Sequence, residues 1–508
     1  MPGGPIMRST DLVNWETVSY LFDTINDTPR YDLNNPETDG TTYGRGQWAT
    51  SIRYHKGMFW ALHSPNDDPH RSFLMKTTDP AKGWTLHARL PHFHDSSLFF
   101  DDDDKCYVFS GGGGVRLVEL NESMTDIKKG GIDKILNTRE LMPEGLLEGS
   151  RVIKHDDYYY LIMISWPRTG RQQLAYRSKN IEGPYEMKVI LKSEFGGFPY
   201  VGQGTVVDGK DGEWYGVIFQ DRGGVGRVLT LNPVQWVDGW PIIGDENGKV
   251  PQSMELFPAS PLPTSPGGGV MSTLEDGYIS IVQSDEFNNR CSLTSPRGCQ
   301  EGANWQWNHN PDNTKWSLTE RPGYLRLRPV KQASSLYHAK NSLTQRMEGP
   351  CCSGAISMDI SQMQDGDRAG FAAFNGHSAI MTVEKVGKKT SLVLTYEEVS
   401  LADDNKAITD VKREEIARVE LGSKKNICLR INGDFSPKDP AGTAGGKDIA
   451  TFEYSLDNGK SWVKIGGDYQ MRFDYRRLFM GTKFTIFNYT TKEASDGYVD
   501  VDWFHYTR

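Results

Sequence analysis

The chain has 508 residues, which is more than one hydrophobic core normally serves, so two domains are expected. Its formal net charge of −9 disfavours a nucleic-acid binder, because no broad positive face is available for phosphates. It contains no run of about 18 apolar residues, so no membrane-spanning helix is predicted. The 53 glycines, 22 tyrosines and 21 phenylalanines, in a chain that is only 37% hydrophobic, indicate an all-β protein with short strands and many turns.

The first half of the chain repeats one pattern, a short β-rich run, a polar turn and a second run centred on aromatic residues. The repeats read SIRYHKGMFWALHS from Ser51, SSLFFDDDDKCYVFSG from Ser96, SRVIKHDDYYYLIMIS from Ser150 and GTVVDGKDGEWYGVIFQD from Gly204. Each predicts a β-hairpin. A second piece recurs between them and reads as an outer strand ending in a polar turn and an aromatic residue: STDLVNW, TTDPAKGW and RSKNIEGPY. Four-stranded units repeating at this spacing are typical of a β-propeller.

The chain opens on the second of these pieces, MPGGPIMRSTDLVNW, with no hairpin before it. We therefore predict five blades, of which the first is incomplete because it lacks its inner strands. Half a blade would leave strand edges exposed, which natural sheets avoid, so we expect the true start to lie upstream. Any signal peptide would lie there too, and the localisation is not predicted.

The composition changes after the predicted fifth blade, so we divide the chain into three regions. Residues 1–250 are predicted to form the propeller, and 251–280, rich in Pro, Ser and Gly, a linker. Residues 281–508 carry alternating strands such as GYLRLRP and KFTIFNY without a long helical period, which favours a β-sandwich. Cys291 and Cys299 either close a small loop in this domain or remain free thiols.

Polar residues precede the inner strands of three successive repeats: Asp95, Glu148 and Gln203. Inner strands converge on the channel of a propeller, so these side chains are expected to share one pocket. A carboxyl group beside apolar residues has a raised pKa, which suits a general acid, and two carboxyl groups facing one sugar are the minimum for glycoside hydrolysis. A turn or capping role is the alternative for each acid. For the flanking His92 and His94, substrate contact and structural packing both remain open.

The sequence resembles a known family at every visible blade. The pieces that carry the resemblance are PGGPIMRSTDLVNW, QWATSIRYHKGMFW, HDSSLFFDDDDKCYVF, LEGSRVIKHDDYYYL and VGRVLTLNPVQWVDGWP. They are similar to glycoside hydrolase family 43, the five-bladed propeller hydrolases of xylan and arabinan. The second half, most clearly WQWNHNPDNTKWSLTERPGYLRLR from Trp305, resembles the β-sandwich of the exo-acting β-xylosidase branch of that family.

The resemblance implies an inverting mechanism with three carboxyl groups. Glu148 matches the general acid, and Asp95 matches the aspartate that raises the pKa of the acid and holds it in place. The base is expected in the inner strand of the first blade, so it is missing from this chain. Asp11 does not match it, because Asp11 belongs to the turn of the outer strand.

Three further residues are assigned to substrate binding by the resemblance. Arg227 matches an arginine that binds sugar hydroxyls, and Trp48 matches a wall of the pocket. Gln203 occupies a position where many relatives carry a histidine associated with a divalent cation. Since an amide is a poorer ligand than imidazole, we predict a hydrogen-bonding role for Gln203 and no metal.

No cofactor is predicted to be required. A structural calcium ion in the sandwich is an open alternative, because acidic residues lie near both ends of that domain. These are Asp285, Glu286, Asp500 and Asp502.

The function implied is an exo-acting hydrolase that releases xylose from xylan-derived oligosaccharides. An α-L-arabinofuranosidase acting on arabinoxylan or arabinan is one alternative, since the two sugars present similar hydroxyl groups. A non-catalytic carbohydrate-binding protein is another, favoured by the missing base and disfavoured by the retained Glu148, Asp95 and Arg227. The partners are xylo- or arabino-oligosaccharides, with neither nucleic acid nor a membrane. The sandwich is expected to close one side of the pocket.

Overall fold

A computed structural model describes residues 1–46, 48–209, 212–254, 281–288, 293, 304–404, 406–439 and 445–508. Apart from single helical turns, these residues are strands and loops, which confirms the all-β class. The turns are α1 Pro36–Asp39 and α2 Thr138–Leu141, with 3-10 turns at Pro29–Asp32, Pro80–Lys82 and Gly223–Val225. No helix in these ranges is long and apolar enough to cross a membrane.

The first half forms four four-stranded antiparallel sheets and one two-stranded sheet, in which each strand pairs with the next along the chain. The two-stranded sheet is β1 Gly3–Arg8 and β2 Glu16–Phe22. The four-stranded sheets are β3 Thr50–His55, β4 Met58–His63, β5 Arg71–Thr77 and β6 Thr85–Pro91; β7 Ser97–Phe100, β8 Cys106–Ser110, β9 Arg116–Glu119 and β10 Asp133–Ile135; β11 Leu146–His155, β12 Tyr158–Trp166, β13 Gln172–Ser178 and β14 Glu186–Leu191; β15 Gly204–Asp208, β16 Trp214–Asp221, β17 Arg227–Val237 and β18 Trp240–Ile243. The four predicted hairpins are confirmed as the first two strands of these sheets, the four blades of a propeller arrangement.

The turns of the hairpins have the backbone geometry that their residues favour. Lys56 and Gly57 have φ values of 48° and 80°, and Asp156 and Asp157 have 45° and 64°. Two consecutive residues with positive φ make the tight turn whose twist matches that of the flanking strands. Glycine and aspartate tolerate this conformation better than most residues, which is why these short polar turns close hairpins.

A serine near the start of one inner strand joins its blade to the next. Ser51 Oγ accepts a hydrogen bond of 3.0 Å from the Leu98 N–H, and Ser97 Oγ accepts one of 3.1 Å from the Val152 N–H. The donors and acceptors are buried, so each bond satisfies a backbone group that water does not reach. The repeated sequence thus also repeats a contact between blades.

The two-stranded sheet packs on the neighbouring blade through Leu21 and Trp84. A cavity of about 530 Å³ lies along β1, lined by β1 itself, by the start of β3 and by residues of the second half such as Gln306 and Lys483. Within the described ranges, β1 pairs with β2 alone. Four blades are complete, and the count of five stays a prediction.

The second half forms two large antiparallel sheets. The seven-stranded sheet contains β19 Gln306–Trp307, β22 Leu343–Arg346, β32 Lys483–Thr490, β24 Asp367–Phe374, β25 His377–Val386, β26 Lys389–Leu401 and β27 Ile408–Glu420. The eight-stranded sheet contains β20 Trp316–Ser317, β21 Leu325–Leu327, β33 Val499–Thr507, β23 Cys351–Asp359, β28 Asn426–Asp434, β29 Ile449–Ser455 and β30 Val463–Lys464, with β31 Tyr469–Gln470 on β29. Fully buried aromatic side chains, including Trp305, Phe371 and Phe504, fill the space between the sheets. The predicted β-sandwich is confirmed.

Most of the predicted linker, from residue 255 to residue 280, lies outside the described residues, as do Cys291 and Cys299. The boundaries of the three regions stay predictions. In the sandwich, Asp285 and Phe504 exchange backbone hydrogen bonds, so the two ends of the domain meet as expected. Asp500 forms salt bridges with Arg326 and Arg321.

The Asp285 side chain also has protein partners. Its carboxylate accepts hydrogen bonds from the Phe287 N–H at 2.7 Å and from the Trp305 indole at 2.8 Å. Glu286 lies 2.7 Å from the ring of His505. Asp285, Glu286 and Asp500 therefore already have partners within the protein. A structural calcium ion stays an open alternative.

The sandwich packs against the propeller through the outer face of its seven-stranded sheet. Tyr43 of the propeller contacts Tyr337 of the sandwich, with ring centroids 4.3 Å apart. The Asn310 amide donates to the Ile25 carbonyl at 2.6 Å and to the Asp32 carboxylate at 2.9 Å. Aromatic packing and satisfied polar groups thus hold the two halves in one arrangement, and the expected contact between them is confirmed.

Replacement of Ser51 by alanine is expected to lower the free energy of unfolding by about 1–3 kcal/mol, because the buried Leu98 N–H loses its acceptor. Urea unfolding followed by tryptophan fluorescence measures the change. Ser123→Ala is the matched control, since Ser123 is exposed and its hydroxyl bonds within its own turn. Equal unfolding of the Ser51→Ala variant and the control would contradict the role given to this bond.

Candidate functional site

Asp95, Glu148 and Gln203 lie close together. Asp95 and Gln203 come just before β7 and β15 as predicted, whereas Glu148 is the third residue of β11, because that strand begins earlier than the sequence indicated. The Gln203 amide donates to the Asp95 carboxylate at 3.2 Å, which is the hydrogen bond expected of Gln203. His94 Nε2 lies 3.4 Å from Glu148 Oε2. His94, Asp95 and Glu148 each have one polar atom within 4.8 Å of the others. Residues from three blades therefore face one small space, as their equivalent places in the repeats predict.

The backbone around this space is held in uncommon conformations. Asp95 has a φ of 44° and is only 8% exposed, and its carbonyl accepts a hydrogen bond of 3.3 Å from Ser150 Oγ. Gly149 has a φ of 73°, and a Cβ at this position would overlap with the Gln203 side chain. Such strained positions are typical of functional sites, where neighbours hold them in place. Here the backbone conformations at Asp95 and Gly149 leave room for the Gln203 side chain to reach Asp95.

The electrostatics of the cluster raise the pKa of both Asp95 and His94. Burial raises the pKa of Asp95, and the nearby Glu148 adds to this, while His94 and Arg151 oppose it. The hydrogen bond to Glu148 raises the pKa of His94 against the opposing effect of burial. The proximity of Glu148 thus contributes to both shifts.

The pocket has aromatic walls from both halves of the chain. The Trp48 ring lies 5.5 Å from the His94 ring and 5.2 Å from the Phe479 ring. Phe479 belongs to the loop between β31 and β32, so the sandwich closes one side of the pocket. The Arg227 guanidinium lies 4.6 Å from the centre of the Phe479 ring and 4.3 Å from that of Phe219. The structure thus places Trp48 and Arg227 around one space, with Phe479 between them.

Two salt bridges that share Asp221 hold Arg227 in place. Its Nε donates to Asp221 at 2.9 Å, and the other oxygen of Asp221 lies 2.7 Å from an Arg171 guanidinium nitrogen. Arg171 is buried and lies over the Trp166 ring at 4.3 Å. Asp221, Arg171 and Phe479 were not predicted from the sequence. Asp221 is in register with Arg227 across a hairpin, a signal that the sequence carries, whereas nothing local marks Phe479.

Replacement of Glu148 by glutamine is expected to lower the pKa of His94 to its usual range or below, because a neutral amide stabilises the protonated imidazole less than a carboxylate does, while burial still lowers the pKa. Titration of the histidine ring signals by NMR measures this, with His94→Gln identifying the signal. Glu140→Gln, an exposed acid on α2, is the control and leaves the pKa of His94 unchanged. A His94 signal that titrates alike in the parent protein and in the Glu148→Gln variant rules out the assigned hydrogen bond.

Comparisons with known proteins identify the family to which both halves of the chain are similar. The sequence profile described as glycosyl hydrolases family 43 matches residues 1–241. The profile of the β-xylosidase C-terminal concanavalin A-like domain matches residues 300–507. Together they account for both halves of the chain.

Individual relatives span most of its length. A β-xylosidase from Formosa agariphila is 28% identical over 566 residues, which cover 99% of this chain and 84% of that protein. A non-reducing end α-L-arabinofuranosidase from Bacteroides ovatus is 24% identical over 77% of this chain and 72% of that protein. A solved structure of a bifunctional GH43-CE protein from Bacteroides eggerthii is 36% identical with a TM-score of 0.84, and covers 100% of this chain and 59% of that one. This chain thus spans about three fifths of the Bacteroides eggerthii protein, and it belongs to glycosyl hydrolases family 43.

Proposed function

We propose that the protein is an exo-acting, inverting glycoside hydrolase that releases xylose from xylan-derived oligosaccharides. The observation that carries this proposal is the close approach of the Glu148 and Asp95 carboxyl groups, beside a pocket wall that Phe479 of the sandwich shares with Trp48. A pocket walled in this way accepts a chain end more readily than the middle of a polymer. The β-xylosidase name of the relative from Formosa agariphila supports xylose as the sugar released.

In this proposal each residue has a role that its surroundings support. Glu148 protonates the glycosidic oxygen as the bond to the sugar breaks. Asp95, buried beside it, tunes and positions the acid, and the Gln203 amide holds Asp95. Arg227, fixed by Asp221, donates to the hydroxyl groups of the sugar, and Trp48 contacts its apolar face. An inverting mechanism then needs a base that activates water on the opposite face, roughly 6.5–9.5 Å from the acid.

We place that base upstream, in the inner strand of a fifth blade. Support comes from the cavity of about 530 Å³ along β1, which borders Trp48 and Thr50 beside the pocket. Ile52, on the first strand of the neighbouring blade, lines this cavity and is 44% exposed, unlike the buried residues between complete blades. A strand paired with β1 would cover Ile52 and would turn the two-stranded sheet into the outer half of a blade. Its start would face the same space as Glu148, since that is where inner strands begin.

Two other functions would use a similar ligand. An α-L-arabinofuranosidase is the nearer alternative, supported by the name of the relative from Bacteroides ovatus, because arabinofuranose offers similar hydroxyl groups. A non-catalytic carbohydrate-binding protein is the alternative of another class. A binding protein has no need of two close carboxyl groups, one of them buried, at the point where the sugar bond would break, so the Glu148 and Asp95 pair favours an enzyme.

The first experiment compares hydrolysis of an aryl β-xyloside and an aryl α-arabinofuranoside by two forms of the protein. One form is the 508-residue chain, and the other carries the roughly 20–30 residues of a hairpin restored from upstream DNA. Because the base lies upstream in this proposal, we expect the extended form alone to be active, with the xyloside as its better substrate. Preference for the arabinofuranoside would identify the protein as an α-L-arabinofuranosidase, the nearer alternative. Sugar binding without hydrolysis in both forms would favour the binding protein.

In the active form, replacement of Glu148 by glutamine is expected to reduce kcat on xylobiose by about 10²–10⁴-fold, the usual contribution of a general acid. The loss on an aryl xyloside with a very acidic phenol should be much smaller, because that leaving group departs without a proton. Steady-state kinetics on both substrates measure the contrast, with Glu140→Gln as the matched control. Equal losses on the two substrates would exclude Glu148 as the proton donor.

A further inference from the structure

A large aromatic side chain lies exposed beside the acid. Trp166, the last residue of β12, is 42% exposed and pairs across the sheet with Leu146. Glu148 pairs with Ile164, so Leu146, Glu148 and Trp166 lie on the same face of the β11–β12 pair. Diagonal neighbours of this kind are about 7–8 Å apart. The indole therefore lies within about one sugar unit of the carboxyl group that protonates the glycosidic oxygen.

The indole is held in place before any ligand arrives. The guanidinium of the buried Arg171 lies 4.3 Å over the Trp166 ring, and the Tyr200 ring contacts it edge-on at 6.0 Å. Gly170, with a φ of 106°, makes room for Tyr200, because a Cβ there would overlap with the tyrosine ring. An aromatic ring that is already fixed loses little conformational freedom on binding, so its contact area contributes more fully to affinity.

The exposed part of the indole borders an open cavity of about 660 Å³. Its lining combines apolar and polar groups, with Leu146, Trp166 and Pro167 beside Glu144 and Arg168. One acid and one base leave the lining without a net charge, which suits a neutral ligand. A pyranose fits such a lining, since its C–H face packs on an aromatic ring while its hydroxyl groups reach charged side chains.

We propose that Trp166 is the platform for the sugar unit on the leaving-group side of the bond that Glu148 cleaves. The inference deepens the proposed function and rests on it, because it assigns the xylose units that follow the released one. Leu146 extends the apolar surface next to Trp166, and Tyr200 supports its edge. The ligand is a neutral xylo-oligosaccharide of two or more units.

The two salt bridges that hold Arg227 also connect Trp166 with the pocket, through Arg171. Arg171 contacts Trp166 from one side and Asp221 from the other, and Asp221 holds Arg227. The group that binds the terminal sugar and the ring that binds the next one are thus fixed relative to each other by two salt bridges. This spacing favours a linear chain in which both units bind at once.

The test is calorimetric titration of the 508-residue chain with xylose, xylobiose and xylotriose, so that no catalytic step is needed. In the parent protein we expect affinity to rise about tenfold or more from xylose to xylotriose, because only the longer sugars reach Trp166. Loss of a contact with a central aromatic side chain typically lowers affinity by about that factor or more. Trp166→Ala should reduce this rise to about threefold or less while the Kd for xylose stays the same. Trp166→Phe should recover part of it. Tyr54→Ala is the control, since Tyr54 is 63% exposed and lies at the end of β3 away from the pocket. This variant should leave the rise in affinity from xylose to xylotriose unchanged.

Each result has one meaning. A full rise in affinity in the Trp166→Ala variant, or no rise in the parent protein, overturns the platform and leaves the proposed function standing. Loss of xylose binding together with the rise shows that Trp166 is structural, and also overturns the platform. If neither the 508-residue chain nor the form with the restored hairpin binds xylose, arabinose or their oligosaccharides, the proposed function fails, and the platform fails with it.

Discussion

The contact between the seven-stranded sheet and the propeller determines the shape of the whole site. Tyr43 and Tyr337 pack together in it, and the Asn310 amide satisfies backbone and carboxylate groups of the propeller. Because this interface combines apolar packing with satisfied polar groups, it holds the loop that carries Phe479 in place beside the pocket. The carboxyl groups come from the propeller alone, whereas the wall beside them comes from the sandwich.

Within the channel, the arrangement of charges follows from burial. Asp95 lies deep enough that its ionised form is disfavoured, and its pKa is raised for that reason first. The hydrogen bond between His94 and Glu148 raises the pKa of His94, so the two pKa values move in the same direction for different causes. Glu148 thus contributes to the shift at both of its neighbours.

The repeats made much of the fold predictable. Hairpins with short polar turns are local features, so the four blades and the polar residues before their inner strands could be identified from the sequence. The nearness of Asp95, Glu148 and Gln203 followed from their similar places in three successive blades, but the hydrogen bond between Gln203 and Asp95 was not predicted. Phe479 and Arg171 could not be predicted in the same way, because their positions depend on how distant segments pack. Trp166 was visible in the sequence only as the end of an aromatic strand, and its contacts with Arg171 and Tyr200 could not be predicted.

The origin of Phe479 has a consequence for how relatives of this protein diversify. In the proposed function, the residues that transfer the proton and those that enclose the chain end are encoded in separate halves of the gene, joined through a region rich in Pro, Ser and Gly. Recombination at that region would exchange the enclosing wall without altering Glu148 or Asp95. A family built in this way can change which end or branch of a polysaccharide it accepts by swapping one half, while the chemistry of bond cleavage is inherited intact from the other.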